Sequence, residues 1–414
     1  MTAGRTVCVV GAGIVGVSAA LTLQRDGHDV LLIDRDGPAA GASSGNAGAI
    51  VNASCAPTAL PGIAASVFGM IGRPLAPFNV RTAYLPRALP WMFRFLMESR
   101  IARVRENARN LHALTVNAAS AWHALTQGTP MSKLLRPAGW LKVYETETAF
   151  AATRHARLLM DELAVPYEIL GATEIRELEP ALAPIFTRGI FQRDSLQVIS
   201  PAKLVQGLAE LFVARGGRFR RFNVLRMESG GGEPVLHGAL ESLTADLVVV
   251  AAGAWSGRLA ASIGDRVLLD TERGYHMMLP AENTRLLRRP VLNGEHFFVL
   301  SPMEDGLRLT SQVEFAGLDA APDYRRVRSL VKVAARMLPG LVAGEQSVWM
   351  GCRPSLPDSL PVLGYSRSSR RIVYAFGHQH LGMTLGPASA LIVADLAAGR
   401  TPPLDLEPYR IDRF

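Results

Sequence analysis

Short apolar runs and apolar helical stretches follow one another along this chain in the order expected of an α/β protein. Thr6–Val10 (TVCVV) is a β-branched run. A helical stretch follows and closes at Asp26-Gly27, and a second run, Val30–Ile33, ends in Asp34. Strands that are apolar throughout belong in a parallel sheet covered on both faces. Two further runs of this kind, Leu247–Ala252 and Ile372–Ala375, lie in the middle and near the end of the sequence, so the sheet is expected to be discontinuous in sequence. Leu307–Phe315 has a different rhythm. Leu307, Leu309, Val313 and Phe315 alternate with Arg308, Thr310, Gln312 and Glu314, as in a strand with one apolar and one polar face, and we expect the polar face to meet solvent. The last long apolar stretch reads as a helix ending near Ala398, with Gly399 as terminator, Thr384 as its N-cap and Pro387 in its first turn.

The glycines add chemistry to this pattern. Gly11-Ala12-Gly13-Ile14-Val15-Gly16 sits between the first strand and the first helix, with Asp34 ending the next strand. In that setting the first glycine permits the turn, the second lets backbone approach a pyrophosphate, and the third lets helix pack on strand; the acid accepts ribose hydroxyls. A tight βα turn is the bland alternative, and the motif alone does not choose between NAD and FAD. The stretch 41–48 (GASSGNAG) is almost wholly small, so Ser43, Ser44, Gly45, Asn46, Ala47 and Gly48 can lie directly on a ligand.

With 414 residues, 49% hydrophobic and 19% charged, two domains are expected. The formal charge of +8 is dispersed, without a basic run carrying interleaved aromatics, which argues against nucleic acid as a partner. Cys8, Cys55 and Cys352 show neither disulfide nor zinc spacing, and no leader peptide or spanning segment is visible, so a reducing, cytoplasmic setting is expected. The stretch 85–97 (LPRALPWMFRFLM) is too short to span a bilayer. It reads either as a helix packing its aromatic face inward or as a peripheral contact with the inner membrane face.

GxGxxG with Asp34-Arg35, GASSGNAG, the strand leading into Ala252-Gly253-Ala254-Trp255-Ser256, MGCRPSLPDSLPVLG (350–364) and GHQHLGMT (377–384) occur in one order over nearly the whole chain. Together they resemble the D-amino-acid oxidase-type family of FAD flavoproteins, in particular its D-amino-acid dehydrogenase branch. The resemblance implies a Rossmann-like FAD-binding domain from about 1–55, 195–265 and 345–414. An α+β substrate domain with a mixed sheet would comprise 56–194 and 266–344. It also implies cofactor contacts from Val224, Ala252, Gly253, Trp255, Gly377, His378, Leu381, Gly382, Met383 and Thr384, alongside the N-terminal residues named above. Departures are Gln379, where the family usually has glycine, and Cys352, where a larger apolar residue is common.

The implied chemistry is oxidation of a D-amino acid or a secondary amine such as an N-substituted glycine or a D-proline derivative, with electrons passing on to a quinone, another carrier or oxygen. First-turn amides of Gly382, Met383 and Thr384 would face the flavin pyrimidine. Arg353 is the first choice for holding the substrate acid, or else pairs with Asp358. Arg273 and Arg308 follow, with Tyr275 as a phenol donor; Arg273 could instead pair with Glu272. His378 and His380 supply too few ligands for a catalytic metal. They either touch flavin and substrate or brace the loop, and His380 near a neutral pKa could hold the amine deprotonated. Cys352 lies one residue away from the flavin-linking cysteine of sarcosine-oxidase-type relatives, so FAD is expected to be non-covalent. A nicotinamide dehydrogenase and an FAD-binding subunit of a larger electron-transfer assembly are the rival readings.

Overall fold

The computed structural model describes residues 4–63 and 76–414. Two large sheets dominate these residues. The first has six strands in the order Arg218–Arg221, Asp29–Asp34, Thr6–Val10, Leu247–Val250, Ile372–Phe376 and Val362–Tyr365, all parallel except the last. Its central strands are buried throughout, apart from Thr6 at the start of the first, as their unbroken apolar sequences require. Helices Ile14–Arg25, Pro201–Ala214 and Gly382–Ala397 pack together on one side of it. The helix Gly382–Ala397 and the turn before it are long and apolar enough to cross a membrane by composition, yet most of that stretch is buried inside the fold.

The second sheet has nine strands and a mixed pattern. The long antiparallel strands Ser347–Ser355, Asp270–Leu279 and Gly306–Phe315 form one end of it, and Trp140–Tyr144 and Arg188–Gln192 continue the other. Ser347–Ser355 therefore belongs to this sheet, and the chain reaches the six-stranded sheet only afterwards, at Val362.

The polar side of Gly306–Phe315 is not solvated, contrary to the alternation argument. Thr310, Gln312 and Glu314 are all buried: Thr310 and Gln312 line a cavity that the aromatic helix Leu85–Glu98 also borders, and Glu314 pairs with the buried Arg273 on the other side. Trp91 and Phe95 of this helix pack inward, Trp91 against Phe315, while Leu89 and Phe93 stay 54% and 63% exposed on its outer side. A register shift lies opposite Gln312, between Arg273 and Tyr275, and Gln312 itself has φ +60°. This bulge re-aims the side chains on both strands.

Thr384 is not the cap of the last helix. The helix begins at Gly382 after Leu381, which places Thr384 in its third position and Pro387 just beyond the first turn. Pro387 lacks the N–H that would reach the carbonyl of Met383. The indole Nε1–H of Trp122 donates to that carbonyl instead, at 2.7 Å.

Candidate active site

The first strand ends at a turn that only glycine fits. Gly11 has φ +107°, and a Cβ there would meet the backbone of Ala251 and Ala252. The turn is then tied by side chains. Ala12 N–H donates to Asp34 Oδ2 (2.8 Å), while Asp34 Oδ1 accepts from the Asp36 and Gly37 amides. Ser43 Oγ accepts the Ile14 N–H at the helix start (3.0 Å), which brings GASSGNAG onto the dinucleotide turn. From the other side, Arg308 donates to the carbonyls of Ser44 and Asn46 (3.0 and 2.7 Å), and His276, stacked on Trp349, approaches the Gly45 carbonyl.

Between the two sheets lies a cavity of about 1020 Å³, which exceeds what a small molecule alone requires. Its wall brings together the early, middle and late stretches. Gly11, Gly13, Ile14, Val15, Asp34 and Arg35 form one end, with Val224, Ala252, Gly253 and Trp255 beside them. The Arg35 guanidinium stacks over the Trp255 ring at 4.2 Å. Ser43, Gly45, Asn46 and Ala47 run along one side, and Gly377, His378, Leu381, Gly382, Met383 and Thr384 meet them from the last strand and helix. Ala12, Gly16, Ser44 and Gly48 are not in the wall. They build the turns behind it: Gly16 packs on the Gly11 carbonyl, Ser44 Oγ closes a turn to Gly41, and Gly48 pairs with Val198.

Arg353 and Tyr275 border the same cavity, and so does His380. Arg353 lies across Gly274, where a Cβ would collide with its guanidinium, and Nη1 donates to the Gln312 carbonyl at 3.2 Å. Asp358 is not its partner; that carboxylate is held by Arg413 at 2.6 Å. Arg273 is absent from the wall. It is fully buried on the far side of its strand, where Glu314 gathers Arg273 (3.3 Å), Arg81 (2.9 Å) and the Tyr275 hydroxyl (2.5 Å). The Arg273 side chain is therefore structural, its partner is Glu314 and not Glu272, and the Tyr275 phenol is already committed.

His378 braces the loop, its Nε2 sharing a 2.9 Å hydrogen bond with Ser389 Oγ, and burial pushes its pKa down to about 3. His380 borders the cavity and keeps an exposed surface there, though many protein atoms surround it. Burial, with Arg353 and Lys142 repelling its protonated form, lowers its pKa to about 4, so it is a neutral imidazole near pH 7 and not the poised base expected from sequence. Gln379 takes φ +50° and anchors the turn through Nε2 to the Leu356 carbonyl (2.8 Å) and Ser355 Oγ (3.2 Å). Ser355 Oγ in turn donates to Glu272, the acid nearest Arg353.

Two wall residues were missed by sequence reasoning. Glu272 is adjacent to Arg273, and the sequence offers it only as a possible partner for that arginine. Lys142 sits in an apolar strand, where alternation gave no reason to place an ammonium inside.

The donor set fits a bound dinucleotide flavin: a glycine turn at a helix N-terminus, an acid beside it, a second helix start, and the buried, unpartnered Thr384 Oγ1 in the wall. Fold and cavity define an α/β flavoprotein. The family model for FAD dependent oxidoreductases (DAO) matches residues 6–396. A D-amino-acid oxidase of Bradyrhizobium diazoefficiens is 35% identical over the full length of both chains, and a D-amino acid dehydrogenase of Sinorhizobium medicae is 29% identical over 99% of each. Among solved structures, glycine oxidase from Geobacillus kaustophilus superposes with a TM-score of 0.73 at 25% identity, covering all of both chains. The chain belongs to this family of FAD-dependent oxidoreductases.

Proposed function

We propose that the protein oxidises the carbon–nitrogen bond of an amino acid, either a D-amino acid or a secondary amine such as an N-substituted glycine, using non-covalent FAD. The observation that carries this reading is Arg353, whose planar fork borders the cavity near the glycine-rich helix start. It binds the substrate carboxylate and so fixes which hydrogen of the α-carbon points inward. The Gly382–Thr384 amides and the helix dipole favour negative charge at the other side of the reacting centre. FAD held by these residues would supply the two-electron acceptor for the α-hydrogen that Arg353 orients, and water would hydrolyse the resulting imine to an oxo acid and an amine.

The amine must bind or become neutral before its C–H bond breaks. His380, with its lowered pKa, is a weak base for that purpose. The positive groups disfavour a substrate ammonium instead, and His380 accepts a hydrogen bond from the neutral amine. Trp91 and Phe95 in the wall keep the site apolar and strengthen these interactions.

The names of the relatives support an amino-acid substrate. Electrons leave to a quinone, another carrier or oxygen, and reoxidation of the reduced protein by air against a soluble quinone separates these. The reading is tested by anaerobic addition of D-amino acids and N-substituted glycines to FAD-loaded protein. Bleaching of the yellow colour with stoichiometric oxo acid is expected. A yellow protein that no amine reduces would favour the electron-transfer-subunit reading.

A further inference from the structure

Besides Arg353, and apart from Arg35 and Arg258, the cavity wall carries a cation that the reaction does not require, Lys142. In Trp140–Tyr144, Leu141 and Val143 are fully buried in the core of the second domain, so Trp140 and Lys142 face the other way, into the cavity. No carboxylate forms an ion pair with Lys142 among the described residues. The Cys55 thiol is close enough to act on its charge, but burial pushes that thiol up to about 11, so it is neutral near pH 7 and offers no counter-charge. Arg353 does have an acid beside it, Glu272, but that acid is already shared with Ser355 Oγ. His380 lies within electrostatic reach of both Arg353 and Lys142, which places the two cations around one part of the cavity.

Lys142 is half-buried and borders the cavity, and burial lowers its pKa, so its charged form is costly until a ligand supplies a counter-charge. Such a group persists when a ligand supplies the missing charge, and arginine and lysine suit two different anions: the fork a planar carboxylate, the ammonium a compact acid group. Resting on the amino-acid reading above, we infer that the natural substrate carries two acid groups, the α-carboxylate on Arg353 and a second carboxylate on Lys142. The second acid is borne either by the side chain of a D-amino acid or by the substituent on nitrogen.

The test compares matched substrates on the FAD-loaded protein: D-aspartate and D-glutamate against D-alanine and D-valine, and iminodiacetate against sarcosine. The diacid is expected to have the higher kcat/KM in at least one series. In Lys142→Met the ratio of diacid to monoacid should fall roughly 10- to 100-fold, mostly through KM, the scale of one lost charge-assisted hydrogen bond. Lys142→Arg should restore much of it. Should Lys142→Met not fold, the wild type decides by competition: malonate or succinate must inhibit more tightly than propionate. A preference for monoacids, an unchanged ratio in Lys142→Met, or inhibition led by propionate overturns the inference while leaving amino-acid oxidation standing. If no amino acid of either kind reduces the protein, the proposed function fails first.

Discussion

The placement of Arg353 depends on a hydrogen atom on the neighbouring strand, and Gly274→Ala tests it. An added Cβ would stand 2.7 Å from Arg353 Nε and closer still to the rest of the guanidinium, inside any tolerable contact. The group in the way is the end of a flexible side chain, so the arginine yields and the strand does not. Removing a glycine from a strand interior returns roughly 0.5–1 kcal/mol of backbone entropy, so stability should stay within about 1 kcal/mol of wild type. The guanidinium, however, must move by roughly 1 Å, and a misplacement of that size at a reacting centre costs on the order of 100-fold in rate. Loss of the charged hydrogen bonds to the carboxylate alone, at about 1.5–3 kcal/mol, corresponds to roughly 10- to 100-fold in affinity. Steady-state kinetics with the best amino acid should therefore show kcat/KM down 10- to 100-fold or more, with FAD content and melting temperature nearly unchanged. Wild-type kinetics in a folded, FAD-replete Gly274→Ala protein would refute Arg353 as the carboxylate anchor.

The remaining predictions concern the fold, the cofactor and pH. Trp122→Phe leaves the Met383 carbonyl, freed by Pro387, without its donor; the loss should be about 1–3 kcal/mol in chemical denaturation. Cys352→Ala should retain FAD, and acid precipitation of the wild type should release all flavin to the supernatant; colour that stays with the pellet contradicts non-covalent binding. His276 and His378 have pKa values pushed down to about 3 by burial. Unfolded histidines take up protons near pH 6.5, so the stability these two contribute is complete above that pH and drains away as pH falls towards 3. The slope approaches about 3 kcal/mol per pH unit for the pair, and melting temperatures from pH 7 to 4.5 should drop accordingly; a flat profile is the contrary result.

Much of the fold was readable in the sequence because glycine spacing and unbroken apolar runs report backbone geometry directly. Gly11 is required by a positive φ, and the three separated stretches of the six-stranded sheet each carried their own apolar signature. What escaped was decided by tertiary contacts. The face on which Arg273 lies follows from the bulge opposite Gln312, and a register shift leaves no mark in a short motif such as ERGYH. The buried polar face of Gly306–Phe315 and the inward Lys142 have the alternation of half-solvated strands, and only the covering of both faces separates the two cases. The Arg413 that claims Asp358 lies 55 residues further along the chain. Gln379, a departure from the usual glycine, adopts the left-handed conformation that glycine would take without cost, and its side-chain hydrogen bonds to Ser355 and Leu356 hold it there.

The most direct test of the central claim is a crystal structure of the FAD-loaded protein with a bound carboxylate inhibitor. The account predicts the isoalloxazine against the first turn of Gly382–Ala397 and the inhibitor carboxylate on the guanidinium of Arg353. A ring bound away from that turn, or a carboxylate held elsewhere with Arg353 untouched, would contradict it.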